Sequence, residues 1–366
     1  MSAVGEKMPL LSICIPSYNR AELLRSTLSA VVPQVRDFKD DVELVVSDNC
    51  SVDHTKAVVD SFMESCPISY HRNNDNLGPG RNIALLIGKL ARGEYCWIIG
   101  DDDTICEGGV GKIVEILKAH PELDYVYVNY CTQIPFPREN KNSTPVTDVE
   151  WPNLGNKDRR ERRVDRWEQL LEEDRCHLSA TFSSVFRLSL CRGALSGLHI
   201  RTALTNVDTA YPHTIALAKT MVGKPCWSTG SPLVIYGLRI SYTDRYPLIV
   251  LVLQDLFDIL EELGVDPKYL RTHRRNLLRS SGRFLADIVQ NPDAQKPEEF
   301  NFRDFVFKFF EYGELIGFLL FLANINIRRG FRKYPMISTI AMCAGPLVLL
   351  FRGFKILRNE RNMREH

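Results

Sequence analysis

The sequence has no Cys-X-X-Cys pair. Its ten cysteines are spread singly along 366 residues, several of them inside apolar runs such as Leu11-Ser12-Ile13-Cys14-Ile15. That distribution supports neither a zinc site nor a disulfide framework, and reads as reduced core cysteines in a cytoplasmic protein. Net charge is also scarce, +1 from 46 basic and 45 acidic residues. A general nucleic-acid binder needs a net basic surface to displace counterions, so that class is excluded. Met1 to Met8 lack an apolar stretch of the signal-peptide kind, which keeps the chain on the cytoplasmic side. No internal repeat is found, and no Gly-rich phosphate loop with a basic residue follows the first apolar run. What remains is ordinary globular material, 45% hydrophobic and 25% charged. Its length suits two domains, or one large domain with an appendage.

The first 130 residues alternate short apolar runs with helical patterns. Leu10–Ile15, Val42–Val46, Ile68–His71, Tyr95–Ile99 and Tyr125–Asn129 read as strands. Helices are expected over Ala21–Val32, about Asp53–Glu64, from the Asn76-Leu77-Gly78-Pro79-Gly80 segment to about Leu90, and over about Gly108–Ala119, with Pro79 near its helix's first turn. Such alternation implies an α/β fold with a mostly parallel sheet covered on both faces. Ligands of such sheets sit beyond the carboxyl ends of the strands. There the sequence places Tyr18-Asn19-Arg20, Asp48-Asn49, Arg72-Asn73-Asn74 and Asp101-Asp102-Asp103. From about Pro135 to Arg166 periodicity stops. Four prolines and a mixed-charge run from Lys157 to Arg166 mark a long loop. Beyond it a helix Trp167–Glu173, a strand Ala180–Arg187, a helix Leu188–Leu195, a loop entering a helix over Asn206–Lys219 and a short strand Pro232–Tyr236 are expected.

Three consecutive carboxylates at a strand end repel one another, and Trp97-Ile98-Ile99 beside them makes burial costly. A hard divalent cation would relieve both problems, although Asp103 or Thr104 could equally cap the next helix. Four segments in order now resemble the family-2 glycosyltransferases of GT-A fold, a Rossmann-like architecture. They are Leu11-Ser12-Ile13-Cys14-Ile15-Pro16-Ser17-Tyr18-Asn19-Arg20, Val45-Val46-Ser47-Asp48-Asn49-Cys50-Ser51-Val52-Asp53, Asn76-Leu77-Gly78-Pro79-Gly80-Arg81-Asn82 and Gly100-Asp101-Asp102-Asp103. Any one alone would be weak; their order and spacing over roughly 110 residues make the resemblance specific. The Gly-Asp-Asp-Asp form resembles a branch that includes abequosyltransferases of bacterial O-antigen assembly. The resemblance implies a nucleotide-sugar donor. Pro16 and Tyr18 would line the nucleoside pocket, and Asp48 would accept hydrogen bonds from the base or its surroundings. Arg81 would reach the nucleotide or its phosphates. Asp101 and Asp103 would hold Mg²⁺ or Mn²⁺ on the diphosphate, with Asp102 sharing either role. Each residue has a plain structural alternative: Tyr18 packed beside the sheet, Arg81 on a solvated helix face, Asp48 capping Ser51-Val52-Asp53.

Inverting sugar transfer, which the family implies, needs a carboxylate to take the acceptor hydroxyl's proton. The matching place is Asn206-Val207-Asp208-Thr209-Ala210, which makes Asp208 the candidate base. It lacks the acidic neighbour expected there and could cap a helix. His213 lies nearby, and Asp165 and Glu173 stand behind Asp208 as alternatives. Tyr236-Gly237-Leu238-Arg239-Ile240-Ser241 resembles the segment that closes over the donor diphosphate, with Arg239 as a phosphate contact or a plain surface arginine.

The tail differs in composition. From Ala323 to His366 there are nine Lys/Arg and two Asp/Glu, a local net of +7 that leaves −6 on the rest. Leu315–Ile327 and Met336–Phe351 are uncharged but shorter than the roughly 20 residues that cross a bilayer. Basic residues flank both, so a pair of helices lying in the inner leaflet is expected, with a buried bundle or a dimer interface as the alternative. The expected organisation is a glycosyltransferase domain over 1–245, with a nucleotide-binding half at about 8–130 and an acceptor half at about 165–245. A helical, membrane-associating region follows over 246–366. The expected activity is metal-dependent transfer from a nucleotide sugar to a lipid-linked or polysaccharide acceptor of the bacterial envelope. A nucleotidyltransferase and a non-catalytic membrane scaffold that keeps the nucleotide fold are the rivals.

Overall fold

The computed structural model describes residues 7–132, 155, 158–173, 178–198, 211–237 and 256–272. The chain divides into two units, Met1–His273 and Arg274–His366. All of the second unit, and with it the apolar and basic tail, lies outside the described residues, as does the segment 133–154.

Eight strands form the main sheet. In chain order the strands are β1 (Leu11–Ser17), β2 (Val42–Asp48), β3 (Ile68–Arg72), β4 (Tyr95–Ile98), β5 (Thr104–Ile105), β6 (Tyr125–Tyr127), β7 (Tyr130–Thr132), β8 (Arg162–Val164), β9 (Ser184–Arg187), β10 (Cys226–Ser228) and β11 (Val234–Tyr236). The main sheet runs β3-β2-β1-β4-β9-β6-β10-β8, and β5-β11-β7 make a small second sheet. The pairs β1–β2, β2–β3, β1–β4 and β6–β10 are parallel, whereas β9 runs antiparallel between β4 and β6 and β8 antiparallel on β10. The α/β expectation therefore holds, with a mixed rather than purely parallel second half.

The described helices of the first half follow the sequence pattern. Helix α1 (Ala21–Asp37) buries Leu24, Thr27, Leu28, Val31, Val32 and Val35, a stripe at three- and four-residue spacing. Each fully buried aliphatic side chain on it contributes about 1.5–3 kcal/mol. Helix α2 (Thr55–Met63) and helix α4 (Gly109–Ala119) bury similar stripes. Helix α3 (Pro79–Leu85) starts after Gly78, whose φ of 80° suits glycine, with Pro79 in its first turn. It widens into a π turn over Leu86–Leu90.

β1 is buried along nearly its whole length, and it tolerates Pro16 for a local reason. Its pairing with β4 ends at Cys14 opposite Ile98, so the missing N–H of Pro16 falls beyond the last β4 partner. The space beside it is where the Gly100–Asp103 turn sits.

Four expectations change. The anticipated strand Tyr125–Asn129 ends as β6 at Tyr127, with β7 following it, because the buried Asn129 turns its side-chain amide to the Gly230 carbonyl, and its own N–H goes to the Thr229 hydroxyl. The first half of Ala180–Arg187 is a short 3-10 turn, with the Ser183 hydroxyl bonded to the Ala180 carbonyl, before β9 begins. Trp167–Glu172 is also a 3-10 turn rather than an α-helix. The long loop expected up to Arg166 contains β8, an edge strand whose arginines discourage further pairing. Helices α5 (Leu188–Leu195) and α6 (Pro212–Met221) fall where helical pattern was read. Residues 256–262 and 267–272 are helical, and Asp266 accepts the Lys268 N–H at 2.8 Å as a cap.

Candidate active site

The site is built on the carboxyl ends of β1 to β4. After β1, Asn19 takes φ 52°, a left-handed conformation that asparagine tolerates. Its N–H donates to the Ser51 hydroxyl at 2.9 Å, and its side-chain oxygen accepts the Val52 N–H at 2.8 Å. Asp53 closes the clasp: one carboxylate oxygen accepts the Ala21 N–H at 3.0 Å, and the other accepts the Thr55 N–H at 3.0 Å and its hydroxyl at 2.5 Å. One side chain thus serves the first turns of α1 and α2 together. These bonds fix the two loops to each other and leave Tyr18 at the rim, 42% exposed, rather than packed beside the sheet. Pro16 sits half-buried below it.

At the end of β2, Asp48 is buried. Its Oδ1 accepts the Ser51 N–H at 2.8 Å, which is the capping role weighed from sequence. Its Oδ2 accepts the Tyr70 hydroxyl at 2.6 Å, with the Arg72 guanidinium 3.7 Å away. Burial, and then the bond to Asp48, raise the Tyr70 phenol above its ordinary range, so Tyr70 remains a donor. Sequence reasoning missed Tyr70 because nothing in Ile68–His71 distinguishes it from a packing residue.

Around Asp48 lies a network of asparagines. The Ser47 hydroxyl donates to Asn82 Oδ1 at 2.6 Å, and Asn82 returns a bond to the Ser47 carbonyl at 3.1 Å. Asn73 donates to both Asn49 and Asn82 at 3.0 Å, and Asn49 donates to Asn76 at 2.8 Å. The Leu77 and Gly78 N–H groups are taken by Asn49 and Asn76. The start of α3, where Arg81 is exposed, is thereby tied to the end of β2. Asn82 stands inside a motif quoted from sequence, yet its neighbour Arg81 drew the attention because charge suggests chemistry more readily than an amide does.

The aspartates follow β4. Asp101 is buried, and its Oδ2 accepts the Ser17 hydroxyl at 2.8 Å while its Oδ1 accepts Arg20 Nη1 at 2.8 Å. The Tyr18 N–H adds a third donor. Asp102 is less buried, and its Oδ2 lies 3.4 Å from the same Arg20 nitrogen. Asp103 is buried, and its two oxygens accept N–H bonds from Gly100 at 3.0 Å and Gly237 at 3.1 Å. Both glycines are dictated by space: a Cβ at Gly100 would lie 2.6 Å from Asp103 Oδ2, and one at Gly237 would lie 2.0 Å from the Asp102 carbonyl oxygen. Thr27 anchors the turn to α1 through the Asp103 carbonyl at 2.8 Å.

Burial pushes the Asp103 carboxyl up to about 8, with the charge of Asp102 adding to it. Burial also raises the Asp101 carboxyl, against the pull of Arg20. Three carboxylates faced by one guanidinium leave an excess of negative charge, and an all-oxygen donor set suits a hard divalent cation. No cluster of three or more metal-ligating side chains converges among the described residues. A cation here would therefore take one or two carboxylates and complete its shell from a ligand, as Mg²⁺ usually does with substrate phosphates.

Of the remaining sequence candidates, Asp208 and Arg239 lie outside the described residues. Glu173 is engaged by Arg162, with both oxygens at 3.0 Å, and Asp165 is exposed next to β8, the edge strand farthest from β3. His213 is fully buried in α6, bonded to the Ser179 carbonyl at 3.1 Å and the Thr214 hydroxyl at 3.2 Å. Among the described residues no helix is long and apolar enough to cross a membrane.

Parts of the chain are similar to known proteins. A stretch of 116 residues is 38% identical to abequosyltransferase RfbV of Salmonella typhimurium, covering 31% of this chain and 34% of the relative. Another of 124 residues is 34% identical to the GalNAc(5)-diNAcBac-PP-undecaprenol beta-1,3-glucosyltransferase of Campylobacter jejuni, covering 33% and 38%. The chain thus spans little more than a third of the length of these curated relatives. The crystal structure of Staphylococcus aureus TarS 1–349 in complex with UDP-GlcNAc aligns over 86% of this chain and 80% of that one, at 14% identity and a TM-score of 0.49. Residues 12–186 match the family described as Glycosyl transferase family 2. That stretch, a little under half of the chain, carries the motif residues from Ser12 onward and the strand ends on which they stand, and over it the chain matches glycosyl transferase family 2.

Proposed function

We propose that this protein is a metal-dependent, inverting glycosyltransferase. It moves a sugar from a nucleotide-sugar donor to a lipid-linked or polysaccharide acceptor in bacterial envelope glycan assembly of the O-antigen type. The observation that carries this reading is the family match over residues 12–186 together with the carboxylates Asp48 and Asp101–Asp103 on either side of β1. Two relatives add support: one is named for abequosyl transfer, and the other for glucosyl transfer onto a PP-undecaprenol-linked glycan.

In this reading the acceptor hydroxyl oxygen attacks the anomeric carbon while the bond from that carbon to the diphosphate oxygen breaks. Asp208 takes the hydroxyl proton, and the nucleoside diphosphate departs with the bonding electron pair. Tyr18 and Pro16 border the nucleoside, Asp48 accepts from its base, and Arg81 and Arg239 meet the phosphates. Asp101 and Asp103, with Asp102 beside them, would hold a divalent cation, Mn²⁺ or Mg²⁺, which when bound would supply charge stabilisation to the leaving group. The apolar, basic-rimmed tail brings the enzyme to the inner face of the cell membrane, where lipid-linked acceptors are found.

The test is calorimetric titration of the full chain with UDP, GDP, CDP and dTDP, each with Mn²⁺ and with EDTA. One nucleotide binding tightly with Mn²⁺, and losing that binding in EDTA, supports the reading and names the donor class. No binding by folded protein in any condition overturns it.

A further inference from the structure

Arg20 holds a position that none of the roles above uses. It is the last residue before α1, and its side chain crosses from the β1 loop to the turn after β4. Nη1 lies 2.8 Å from Asp101 Oδ1 and 3.4 Å from Asp102 Oδ2, and the side chain is only 16% exposed. The two carboxylate side chains are 6% and 15% exposed, so water screens these contacts poorly. Both Asp101 oxygens are engaged: Ser17 donates to Oδ2, Arg20 to Oδ1, and the Tyr18 N–H adds a third donor. A cation approaching Asp101 therefore competes with these donors and meets the Arg20 charge 2.8 Å from Oδ1. Ser17 and Tyr18 are parts of β1 and the loop clasped to Ser51–Asp53, whereas Arg20 reaches the carboxylate through a long side chain that can turn away. Arg20 is also the one donor among the three that is repelled by an incoming cation.

We propose that Arg20 is a positioning residue that acts as the site's internal counter-cation: it neutralises Asp101 and Asp102 while the site is empty, and passes to the donor's diphosphate when a divalent cation takes its place. The inference rests on the donor and metal reading given above. A guanidinium suits both stations, because its planar fork matches carboxylate and phosphate oxygens alike. The exchange has a thermodynamic consequence. A metal arriving alone is repelled by Arg20 and offers no anion to draw it away, so it binds weakly. Metal and diphosphate arriving together solve each other's problem, and their affinities are reciprocally coupled.

The experiment measures Mn²⁺ binding to the full chain without nucleotide, from the electron paramagnetic resonance signal of the free ion, for the wild type, Arg20→Gln and Arg20→Lys. Binding of UDP, GDP, CDP and dTDP at saturating Mn²⁺ is then measured for each. Arg20→Gln should bind Mn²⁺ alone at least tenfold more tightly than the wild type, while its affinity for the preferred nucleotide with Mn²⁺ falls by a similar factor. Arg20→Lys, which keeps the charge, should stay close to the wild type for metal alone. Mn²⁺ affinity unchanged or weakened in Arg20→Gln overturns the exchange. If circular dichroism shows that Arg20→Gln does not fold, the wild type decides: the Arg20 side-chain ¹⁵Nε resonance should move on addition of Mg²⁺ with the nucleotide, and a stationary resonance overturns the proposal. A wild type that binds no nucleotide with any metal removes the donor reading and this inference together. A wild type that binds normally beside an indifferent Arg20→Gln removes only the exchange.

Discussion

The two halves of the described structure treat buried polar groups differently. At the ends of β1 to β4 the buried Asp48, Asn49, Asn73, Asn82, Asp101 and Asp103 are bonded to one another or to backbone groups, often through more than one atom. The three buried side-chain nitrogens with no partner among the described residues, Trp167 Nε1, His213 Nδ1 and Trp227 Nε1, all fall in the second half. There the Arg162–Glu173 pair sits nearer the surface, side chains 27% and 32% exposed, while Glu168 is fully buried and held by Arg166 and the Gly223 N–H. An unsatisfied buried polar atom costs about 1–3 kcal/mol, so a protein accumulates many buried polar groups only where they are mutually satisfied. The first half has placed its polar groups at the strand ends where the proposed donor would lie, and has fixed them to one another. Among the described residues, the second half shows fewer such linked side-chain networks.

The largest test of that contrast is at the aspartates. Asp103→Asn keeps shape and removes a carboxyl that a bound cation would hold in its charged form; we expect turnover to fall by about 10²–10³, the usual cost of losing one preorganised electrostatic contact. Thermal melting should show a folded protein. Turnover within a few-fold of wild type would remove Asp103 from the proposed metal site. Gly237→Ala attacks the same spot through space alone, since the new Cβ would lie 2.0 Å from the Asp102 carbonyl oxygen. Overpacking of this kind costs about 1–3 kcal/mol, and here it also pulls the Gly237 N–H away from Asp103. Denaturant midpoints and Mn²⁺-dependent nucleotide affinity should both drop. A loss of stability with unchanged affinity would separate the small second sheet from the site.

His213 carries the comparison into the second half. Burial lowers its pKa to about 4 from an ordinary 6.5, the Ser179 carbonyl opposing that shift, and no charged group contributes. The folded protein keeps the ring neutral, whereas the unfolded chain takes up a proton below about 6.5. Stability is therefore full above pH 6.5 and is lost as pH falls toward 4, by at most about 3 kcal/mol over that window. Urea unfolding at pH 7, 6 and 5 should show this slope in the wild type and a flatter one in His213→Gln. Equal slopes would mean that the ring is not shielded as described.

The sequence makes the first half legible for the same reason that it is well ordered in polar terms. Strands buried on both faces read as continuous apolar runs, and Gly78-Pro79 or Asp53-His54-Thr55 mark helix starts by local chemistry alone. Asp48 and the aspartate triplet were visible because carboxylates beside apolar runs demand an explanation. Tyr70, Asn82 and Ser17 were not, since a phenol, an amide or a hydroxyl in a strand or helix has many ordinary uses, and only the fold brings Tyr70 to Asp48 across 22 residues or Ser17 to Asp101 across 84. The Ala180–Arg187 pattern marks the strand that becomes β9, but neither its antiparallel direction nor the edge strand β8 is legible, since three or four residues give too short a pattern to set direction or pairing.

The smallest expected effect is the most discriminating about where the chemistry lies. Glu173 was a sequence candidate for the proton acceptor, yet both its oxygens face Arg162, and the pair is only partly buried. A carboxylate engaged through both oxygens by a guanidinium fork is placed for an ion pair. Partly exposed pairs of this sort contribute about 0–1 kcal/mol to stability. Glu173→Gln should therefore shift the denaturant midpoint slightly and leave turnover and its pH profile as in the wild type, while Asp208→Asn abolishes turnover without changing nucleotide affinity. A collapse of turnover in Glu173→Gln with the fold intact would move the base from the Asp208 segment to the β8 edge, and would show that the second half prearranges more of the chemistry than its hydrogen bonds display.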